Sequence, residues 1–341
     1  MEEPLVSVKM VTYNHAPYIT QAIEGVLQQK VNFPFELVIG EDCSTDGTRE
    51  IVFEYQKKYP DIIRVITSEQ NVGMTKNSYR TERACRGKYV AYCDGDDYWR
   101  CPDKLQKQVD YLENHPDCGL VHSDYDRYYM TSGNIIKKFN QVMNNKPPGN
   151  LDICSILRGG RYLYILTCTV MTRREILEEV VDSDPLLYQS DRFLIGDTPR
   201  WAEIAFRSKT HYIDESLATY NVLAESASKS KNSQKMLRFG CLARELFLYL
   251  VDKHSLPANE RKIHEEAWCK CALNLAFCES DSKMAEEVRK RKASFDWSDW
   301  LLYWGARHHS MNRFVRLLKA LHGWSCGKAR MHGNRARKPW T

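Results

Sequence analysis

The order of apolar and polar segments in the first 100 residues constrains the fold most strongly. Four short apolar runs, each of the length of a buried strand, alternate there with segments whose apolar residues recur at helical spacing. The runs are residues 6–12, 35–39, 62–67 and 89–93. Such alternation is typical of a mostly parallel sheet with helices on both faces, because each helix returns the chain to the start of the next strand. The predicted fold class is therefore α/β with a Rossmann-like central sheet.

Polar residues come at the ends of three of these predicted strands. Thr12, Tyr13 and Asn14 end the first strand, Asp42 lies just after the second, and an acidic turn follows the fourth. In open sheets of parallel strands, ligands bind at the carboxyl ends of the strands. We therefore expect the ligand site at this edge of the sheet.

The acidic turn is the clearest sign of chemistry in the chain. Asp94, Asp96 and Asp97 come directly after the fourth apolar run, with Gly95 between the first two. Three carboxylates at one strand end repel one another unless a cation lies among them, and Mg²⁺ and Mn²⁺ take oxygen ligands that include substrate phosphates. The turn therefore predicts a metal–diphosphate site. A solvated acidic turn is the alternative at this point, because Asp-Gly is a common turn dipeptide.

Two common nucleotide-binding motifs are absent from the sequence. There is no Gly-x-Gly-x-x-Gly after the first predicted strand and no Gly-x-x-x-x-Gly-Lys-Ser/Thr anywhere in the chain. A dinucleotide-dependent dehydrogenase and a P-loop enzyme therefore both lose support.

Composition and cysteine spacing indicate a globular protein of the cytoplasm. With 341 residues, 43% of them hydrophobic, the chain is long enough for one large domain and an appendage. No run approaches the roughly 20 apolar residues that span a bilayer, and the acidic start of the chain does not resemble a secretory signal. The 12 cysteines show no Cys-x-x-Cys spacing, so reduced thiols are expected rather than a zinc site or disulfides.

The second part of the sequence is less regular. It predicts a strand at 119–129 followed by a hairpin turn, a strand at 164–171, and a helix at 201–206 for which Asp197 is a candidate N-cap. Beyond residue 234 the pattern is helical with no strand signals. We therefore expect a C-terminal α-helical extension after the α/β part.

The end of the chain is strongly basic. From Leu301 onward there are nine Lys or Arg residues and no acid, so the rest of the chain carries a net charge of −4 against +5 for the whole. The segment 295–321 is amphipathic, and its basic residues are interleaved with Trp297, Trp300 and Trp304. Tryptophan and basic residues together favour an anionic membrane surface over a nucleic acid, so no nucleic-acid partner is expected. Packing on the rest of the protein with a solvated basic face is the alternative.

Four motifs in this order resemble the family 2 glycosyltransferases of the GT-A fold, of the type that makes bacterial cell-surface polysaccharides. The motifs are Val-Lys-Met-Val-Thr-Tyr-Asn at 8–14, Glu-Asp-Cys-Ser-Thr-Asp-Gly-Thr at 41–48, Asn-Val-Gly at 71–73 and Asp-Gly-Asp-Asp-Tyr-Trp at 94–99. Each motif alone is weak, but the four together at one predicted sheet edge are specific.

The resemblance also implies a domain organisation. Residues 1–230 would form the catalytic domain, with a nucleotide-sugar-binding half at about 1–118 and an acceptor-binding half at 119–230. The helical region 231–341 lies outside the resemblance.

The resemblance implies transfer of a sugar, with inversion, from a nucleotide-diphosphate sugar to a saccharide or lipid-linked saccharide acceptor. A UDP-sugar is the expected donor, and the expected location is the cytoplasm or the inner face of the cell membrane. By resemblance, Thr12, Tyr13 and Asn14 lie beside the nucleoside, while Asp42 accepts a hydrogen bond from the uracil. The other residues placed at the donor by resemblance are Lys76, Asp94, Gly95 and, as ligand of Mn²⁺ or Mg²⁺, Asp96.

An inverting displacement needs one carboxylate to take the proton from the acceptor hydroxyl. Asp197 resembles the family's base, and Asp191 is the second choice. One departure affects the metal. Where the family often has Tyr-Arg-Val-His, this chain has Tyr-Asn-Val-Leu at 220–223, so Leu223 leaves a second protein ligand in doubt.

Two other functions stay open on the sequence alone. A glycosyltransferase-like binding or scaffold protein with weak or no activity is consistent with the missing histidine. A sugar-1-phosphate nucleotidyltransferase is less consistent, because its glycine-rich, arginine-containing signature after the first strand is absent.

Overall fold

The fold is described from a computed structural model. It describes residues 3–144, 147, 149–159, 165–190, 192–193, 196–223 and 232–321. The chain divides into two compact units, Met1–Leu223 and Ala224–Thr341.

The first unit is built on one mixed sheet. Its described strands are β1 (Val6–Thr12), β2 (Phe35–Glu41), β3 (Ile63–Ile66), β4 (Tyr89–Tyr92), β5 (Tyr98–Trp99), β6 (Cys118–Tyr129), β7 (Asn134–Ile136), β8 (Met171–Arg173) and β9 (Lys209–Val222). They lie in the order β3-β2-β1-β4-β8-β6-β9-β5, with β7 beside β6. Strands β3, β2, β1 and β4 are parallel, as the alternation predicts. In the remainder, β6 and β9 are parallel and the other pairs are antiparallel.

Helices cover this sheet because each buries an apolar stripe. In α1, Ile19, Ala22, Ile23 and Val26 recur at helical spacing and are fully buried. The described helices of this unit are α1 (Ile19–Leu27), α2 (Thr48–Lys58), α3 (Met74–Arg83), α4 (Lys104–Asn114), α5 (Phe139–Val142), α6 (Ile153–Arg158), α7 (Arg174–Ser183), α8 (Pro185–Tyr188) and α9 (Asp197–Arg207).

The predicted strand at 164–171 is wrong. Residues 167–169 form a 3₁₀ turn, and strand β8 begins only at Met171. Thr169 closes the turn, because both its backbone N–H (2.9 Å) and its hydroxyl (2.7 Å) donate to the carbonyl of Leu166. The Trp99 indole N–H donates to the Cys168 carbonyl at 2.9 Å, so the backbone here is satisfied without a strand partner.

The predicted hairpin after β6 is confirmed. Strands β6 and β7 pair antiparallel around it. Gly133 has φ of +70° there, a left-handed conformation that other residues rarely adopt.

The second unit is helical in its described residues. Its helices are α10 (Ser233–Lys253), α11 (Ala258–Glu279), α12 (Ser282–Arg291), α13 (Trp297–Arg307) and α14 (His309–Leu321). Trp268, Leu273, Phe277 and Tyr303 belong to its buried core. None of the described helices is long and apolar enough to cross a bilayer.

The amphipathic segment 295–321 consists of two helices rather than one. Asp296 caps α13 by accepting from the Asp299 N–H at 2.9 Å, and its own N–H donates back to the Asp299 side chain at 3.0 Å. His308 ends that helix in an extended conformation, and α14 starts at the next residue. The basic residues 322–341 lie outside the described part of the chain.

Candidate active site

The carboxyl ends of β1, β2 and β4 meet at one edge of the sheet. Thr12 is in register with Glu41 on the neighbouring parallel strand. The Asp42 N–H donates to the Thr12 carbonyl at 3.1 Å, and the Gly95 N–H donates to the Val11 carbonyl at 3.0 Å. The three polar segments that the sequence places at this edge therefore lie side by side.

Gly95 allows the acidic turn to pack directly on the end of β1. A Cβ atom at this position would lie 2.7 Å from Thr12 Oγ1 and 3.0 Å from Ile19 Cδ1, which is too close for any other residue. The Thr12 hydroxyl is itself buried without a hydrogen-bond partner in the described part of the chain.

The loop after β1 is locked by the loop after β2. Asn14 adopts a left-handed conformation with φ of +55°. Its N–H donates to Ser44 Oγ at 3.0 Å, and its side-chain oxygen accepts from the Thr45 N–H at 2.9 Å. Tyr13 is 45% exposed beside this locked backbone, so its ring is accessible at the edge of the sheet.

Asp42 is almost fully enclosed. One carboxylate oxygen accepts from the Val72 N–H at 2.9 Å and the other from the Gly73 N–H at 3.0 Å, while Arg80 forms an ion pair at 3.6 Å. The carboxylate therefore holds the 71–73 loop at the sheet edge. Lys76 follows on the first turn of α3 and is exposed.

The acidic turn contains one buried, anchoring carboxylate and two half-buried ones. Asp97 is buried, and its Oδ1 accepts from the Asn221 N–H at 2.9 Å. The Asn221 side chain donates to the Asp96 carbonyl at 2.6 Å, so β9 holds the turn at two points. Asp94 and Asp96 are half-buried. The backbone of Val11 hydrogen-bonds to the Asp94 carboxylate, whereas the Asp96 carboxylate accepts no hydrogen bond from the described residues.

Burial, and then repulsion within the turn, raise the pKa values of Asp94 and Asp97. Burial raises the pKa of the Asp94 carboxyl to about 7, the Asp96 charge adds to the rise, and the Lys9 ammonium opposes it. Burial and then Asp96 also raise the pKa of Asp97 well above its ordinary value. A divalent cation would stabilise the ionised forms of all three acids.

The donor set at the turn fits one kind of metal. Among the described residues, no group of three or more His, Cys, Asp or Glu side chains is placed to hold a metal alone. A single carboxylate such as Asp96 suits Mg²⁺ or Mn²⁺, which complete their shells with substrate phosphates and water.

Asp197 is the first residue of α9 and not its N-cap. The N-cap is Gly196, so the capping role considered for Asp197 is wrong. One carboxylate oxygen accepts from the Thr198 N–H at 2.7 Å and the other from the Thr167 hydroxyl at 3.1 Å. Its charge is close enough to the acidic turn to raise the pKa of Asp94. Asp191, the second choice for the base, lies outside the described residues.

Sequence reasoning missed a group of charged residues behind the site. Lys9 lies inside β1 and is buried, where its ammonium pairs with Glu82 of α3 at 3.2 Å. Glu82 also pairs with Arg200 of α9 at 3.0 Å. The available signal was a lysine within an otherwise apolar strand, because a buried charge requires a partner.

Comparison with known proteins identifies one family. The profile described as "Glycosyl transferase family 2" matches residues 7–181. The chain is 30% identical over 231 residues to a putative teichuronic acid biosynthesis glycosyltransferase, TuaG, of Bacillus subtilis, covering 67% of this chain and 83% of the relative. An uncharacterized protein of Mycobacterium tuberculosis is 43% identical over 111 residues, 33% of this chain. The match spans only about a third (32%) of that relative's length.

Solved structures share the fold at low sequence identity. The Staphylococcus aureus protein TarS, residues 1–349 in complex with UDP, superposes with a TM-score of 0.54 at 16% identity, covering 92% of this chain and 91% of TarS. The mannosyltransferase PcManGT of Pyrobaculum calidifontis, in complex with GDP-Man and Mn²⁺, superposes with a TM-score of 0.54 at 17% identity, covering 97% and 86%.

Proposed function

Because the chain belongs to glycosyl transferase family 2, we propose that it moves a sugar from a UDP-sugar, with inversion, to a saccharide or lipid-linked saccharide acceptor. It is a glycosyltransferase enzyme of the GT-A fold, from a family that acts in bacterial polysaccharide synthesis. The observation that carries the proposal is the Asp96 carboxylate, which lies at the carboxyl edge of the sheet with no hydrogen-bond partner among the described residues. The complex of TarS with UDP supports a uridine nucleotide.

The donor would lie across the edge formed by β1, β2 and β4. The exposed ring of Tyr13 would contact the base, while Thr12 and Asn14 shape the backbone beneath it. Asp42 would accept from the uracil, and Asp94 would bind the ribose beside Gly95. Lys76 would approach the diphosphate from the start of α3.

Asp96 would hold a divalent metal, Mn²⁺ or Mg²⁺, against the diphosphate. The bound metal would act as a Lewis acid that stabilises the charge developing on the departing nucleoside diphosphate. Asn221 and Asp97 fix the turn that carries Asp96, so the ligand is oriented before the donor arrives. By the family resemblance, Leu223 stands where a histidine is often found, so donor oxygens and water would complete the metal shell.

Asp197 would act as the general base. Its two oxygens are oriented by the Thr198 N–H and the Thr167 hydroxyl, which leaves further lone pairs for the acceptor hydroxyl. Asp191 is the second candidate for this role.

A catalytically inactive binding protein is the second candidate function, and the observation that favours it is Leu223 in place of histidine. UDP release from a panel of UDP-sugars, measured with Mn²⁺, separates the two functions. Turnover of at least one sugar, lost in EDTA, supports the enzyme. Tight donor binding with no UDP release from any sugar, with or without added acceptor saccharides, would favour the binding protein.

The helical region 231–341 would hold the enzyme at the inner face of the membrane. Trp297, Trp300 and Trp304 occupy one face of α13 and are 66%, 37% and 42% exposed. Phe314 and Leu317 are exposed on α14. Tryptophan favours the headgroup region, where its ring is buried and its N–H stays hydrated. Basic residues near an anionic leaflet contribute about 1 kcal/mol each.

Vesicle flotation tests this placement in the full chain. The protein should float with phosphatidylglycerol-containing vesicles at low salt and be released at high salt. The double variant Trp297→Gln, Trp304→Gln should float much less. Met74 is an apolar residue of the first unit that is 48% exposed, and Met74→Gln should float like the wild type. Equal flotation of all three proteins would show that α13 does not bind the membrane.

A further inference from the structure

Three charged side chains form a buried network behind the proposed active site. Lys9 of β1 donates to Glu82 of α3 at 3.2 Å and to the Ser78 hydroxyl at 2.6 Å. Glu82 accepts from Arg200 Nε of α9 at 3.0 Å. The three side chains are at most 5% exposed, so the network joins a strand and two helices away from solvent.

Arg200 extends this network to the start of α9. Its Nη1 donates to the carbonyl of Gly196, the N-cap residue directly before Asp197. Its guanidinium also lies over the Tyr188 ring, 4.9 Å from the centroid. The Arg200 side chain therefore holds the backbone directly before Asp197, and Glu82 fixes the position of Arg200.

Stability alone is a poor explanation for such a network. Replacing a buried ion triad by apolar residues of similar size is often neutral or stabilising, because burying charges costs as much as their pairing returns. What the triad supplies is a defined geometry, since a guanidinium held by a carboxylate on one side and a carbonyl on the other has one orientation.

We propose that Arg200 is a positioning residue that, held by Glu82 and Lys9, fixes the first turn of α9 and so aims the Asp197 carboxylate at the acceptor hydroxyl. This inference rests on the proposed role of Asp197 as the base. A misplacement of about 1 Å in a reacting group can cost on the order of 10²-fold in rate. Loss of the network should therefore lower kcat even at saturating donor.

The decisive variant removes all three charges at once. Single substitutions leave a charge buried without its partner and destabilise the protein for that reason alone. In Lys9→Met, Glu82→Leu, Arg200→Met none of the three charges is left without its partner, so the protein should fold. Rates are compared at saturating donor, because the Lys9 ammonium also acts electrostatically on Asp94 at the proposed donor site. We expect kcat at saturating donor to fall by about 10-fold to 10²-fold. The control, Arg83→Met with Asp182→Asn, removes an exposed ion pair between α3 and α7 and should keep the wild-type kcat.

Combination with Asp197→Asn separates positioning from packing. If the network acts only through Asp197, adding the three substitutions to Asp197→Asn should lower kcat no further. A triple variant with wild-type kcat, or a full multiplicative loss in the Asp197→Asn background, would overturn the proposal.

If the triple variant does not fold, Arg200→Lys provides the test, because it keeps the charge beside Glu82 but cannot also hold the Gly196 carbonyl. A wild-type kcat in Arg200→Lys would then overturn the proposal.

The same experiments distinguish failure of this inference from failure of the function beneath it. If the wild-type protein transfers sugar and Asp197→Asn lowers kcat while the network variants do not, only the positioning role is wrong. If Asp197→Asn has no effect on kcat, the assignment of the base is wrong.

Discussion

Asp42 and Asp96 lie at the same edge of the sheet but differ in their hydrogen-bond partners. Both carboxylate oxygens of Asp42 accept backbone hydrogen bonds, from Val72 and Gly73, and Arg80 lies 3.6 Å away. The Asp96 carboxylate has no such partner among the described residues. An acid at a strand end is thus not by itself a metal ligand, because the chain can use the carboxylate to hold its own loop. The acid that the fold leaves unused is the better candidate for a metal.

The largest expected effect is that of Asp96→Ala. Removing the metal ligand should lower transfer by about 10³-fold, since the charge developing on the diphosphate would lose its counter-ion. The fold should remain intact, because the turn is held by Asp97 and Asn221 rather than by this side chain. Circular dichroism and UDP release in Mn²⁺ check the two parts. Full activity of the variant in EDTA would show that Asp96 does not bind a catalytic metal.

Asp197→Asn should have the next largest effect. The amide keeps the shape and one acceptor oxygen but cannot take a proton, so we expect turnover to fall by about 10²-fold or more. Donor affinity should be retained, because this residue lies on the acceptor side of the proposed site. An equal loss of UDP affinity would mean that Asp197 maintains the structure instead.

Asp42→Asn should affect stability more than turnover. The amide group can accept from only one of the two N–H groups that the carboxylate satisfies, so we expect a loss of about 1–3 kcal/mol in the free energy of unfolding. Transfer should fall only a few-fold, through a higher donor KM. Urea unfolding and steady-state kinetics measure the two effects. Loss of transfer comparable to that of Asp96→Ala, without loss of stability, would abolish the distinction between the two acids.

Two buried lysines also differ in whether they have a charged partner among the described residues. Substituting the lysine without one, Lys104, should have the smallest effect on activity. Lys9 pairs with Glu82, whereas the Lys104 ammonium donates to the neutral Gln108 amide at 2.6 Å and lies over the Trp99 ring. Burial lowers the pKa of Lys104 from 10.5 to about 7. Between these values the unfolded chain binds a proton that the folded protein does not, so stability should rise as pH rises from about 7 to 10.

Lys104→Met tests that pH dependence. The variant should show a flatter dependence of the free energy of unfolding on pH between 7 and 10, a stability at pH 7 equal to or about 1 kcal/mol above the wild type, and unchanged turnover. Parallel pH profiles of the two proteins in urea unfolding would show that Lys104 is protonated in the folded state.

The parts of the molecule that the sequence predicts are those set by local periodicity. Strands β1, β2 and β4 alternate with amphipathic helices, and their carboxyl ends carry the polar residues at one edge. The strand predicted at 164–171 is wrong because one contact that fixes this segment, the hydrogen bond from the Trp99 indole to the Cys168 carbonyl, comes from about 70 residues earlier in the chain. Likewise, no local pattern pairs Glu82 with Arg200, which lie 118 positions apart. Long-range polar contacts of this kind are decided by the folded structure.

We propose that Asp96, and not Asp42, carries the metal that binds the donor diphosphate. Isothermal titration of UDP in the presence and absence of Mn²⁺ tests it most directly, using the wild type, Asp96→Asn and Asp42→Asn. We predict that Mn²⁺ strengthens UDP binding to the wild type and to Asp42→Asn, and has no effect on binding to Asp96→Asn. An equal Mn²⁺-dependent gain in affinity for Asp96→Asn and the wild type would contradict the claim.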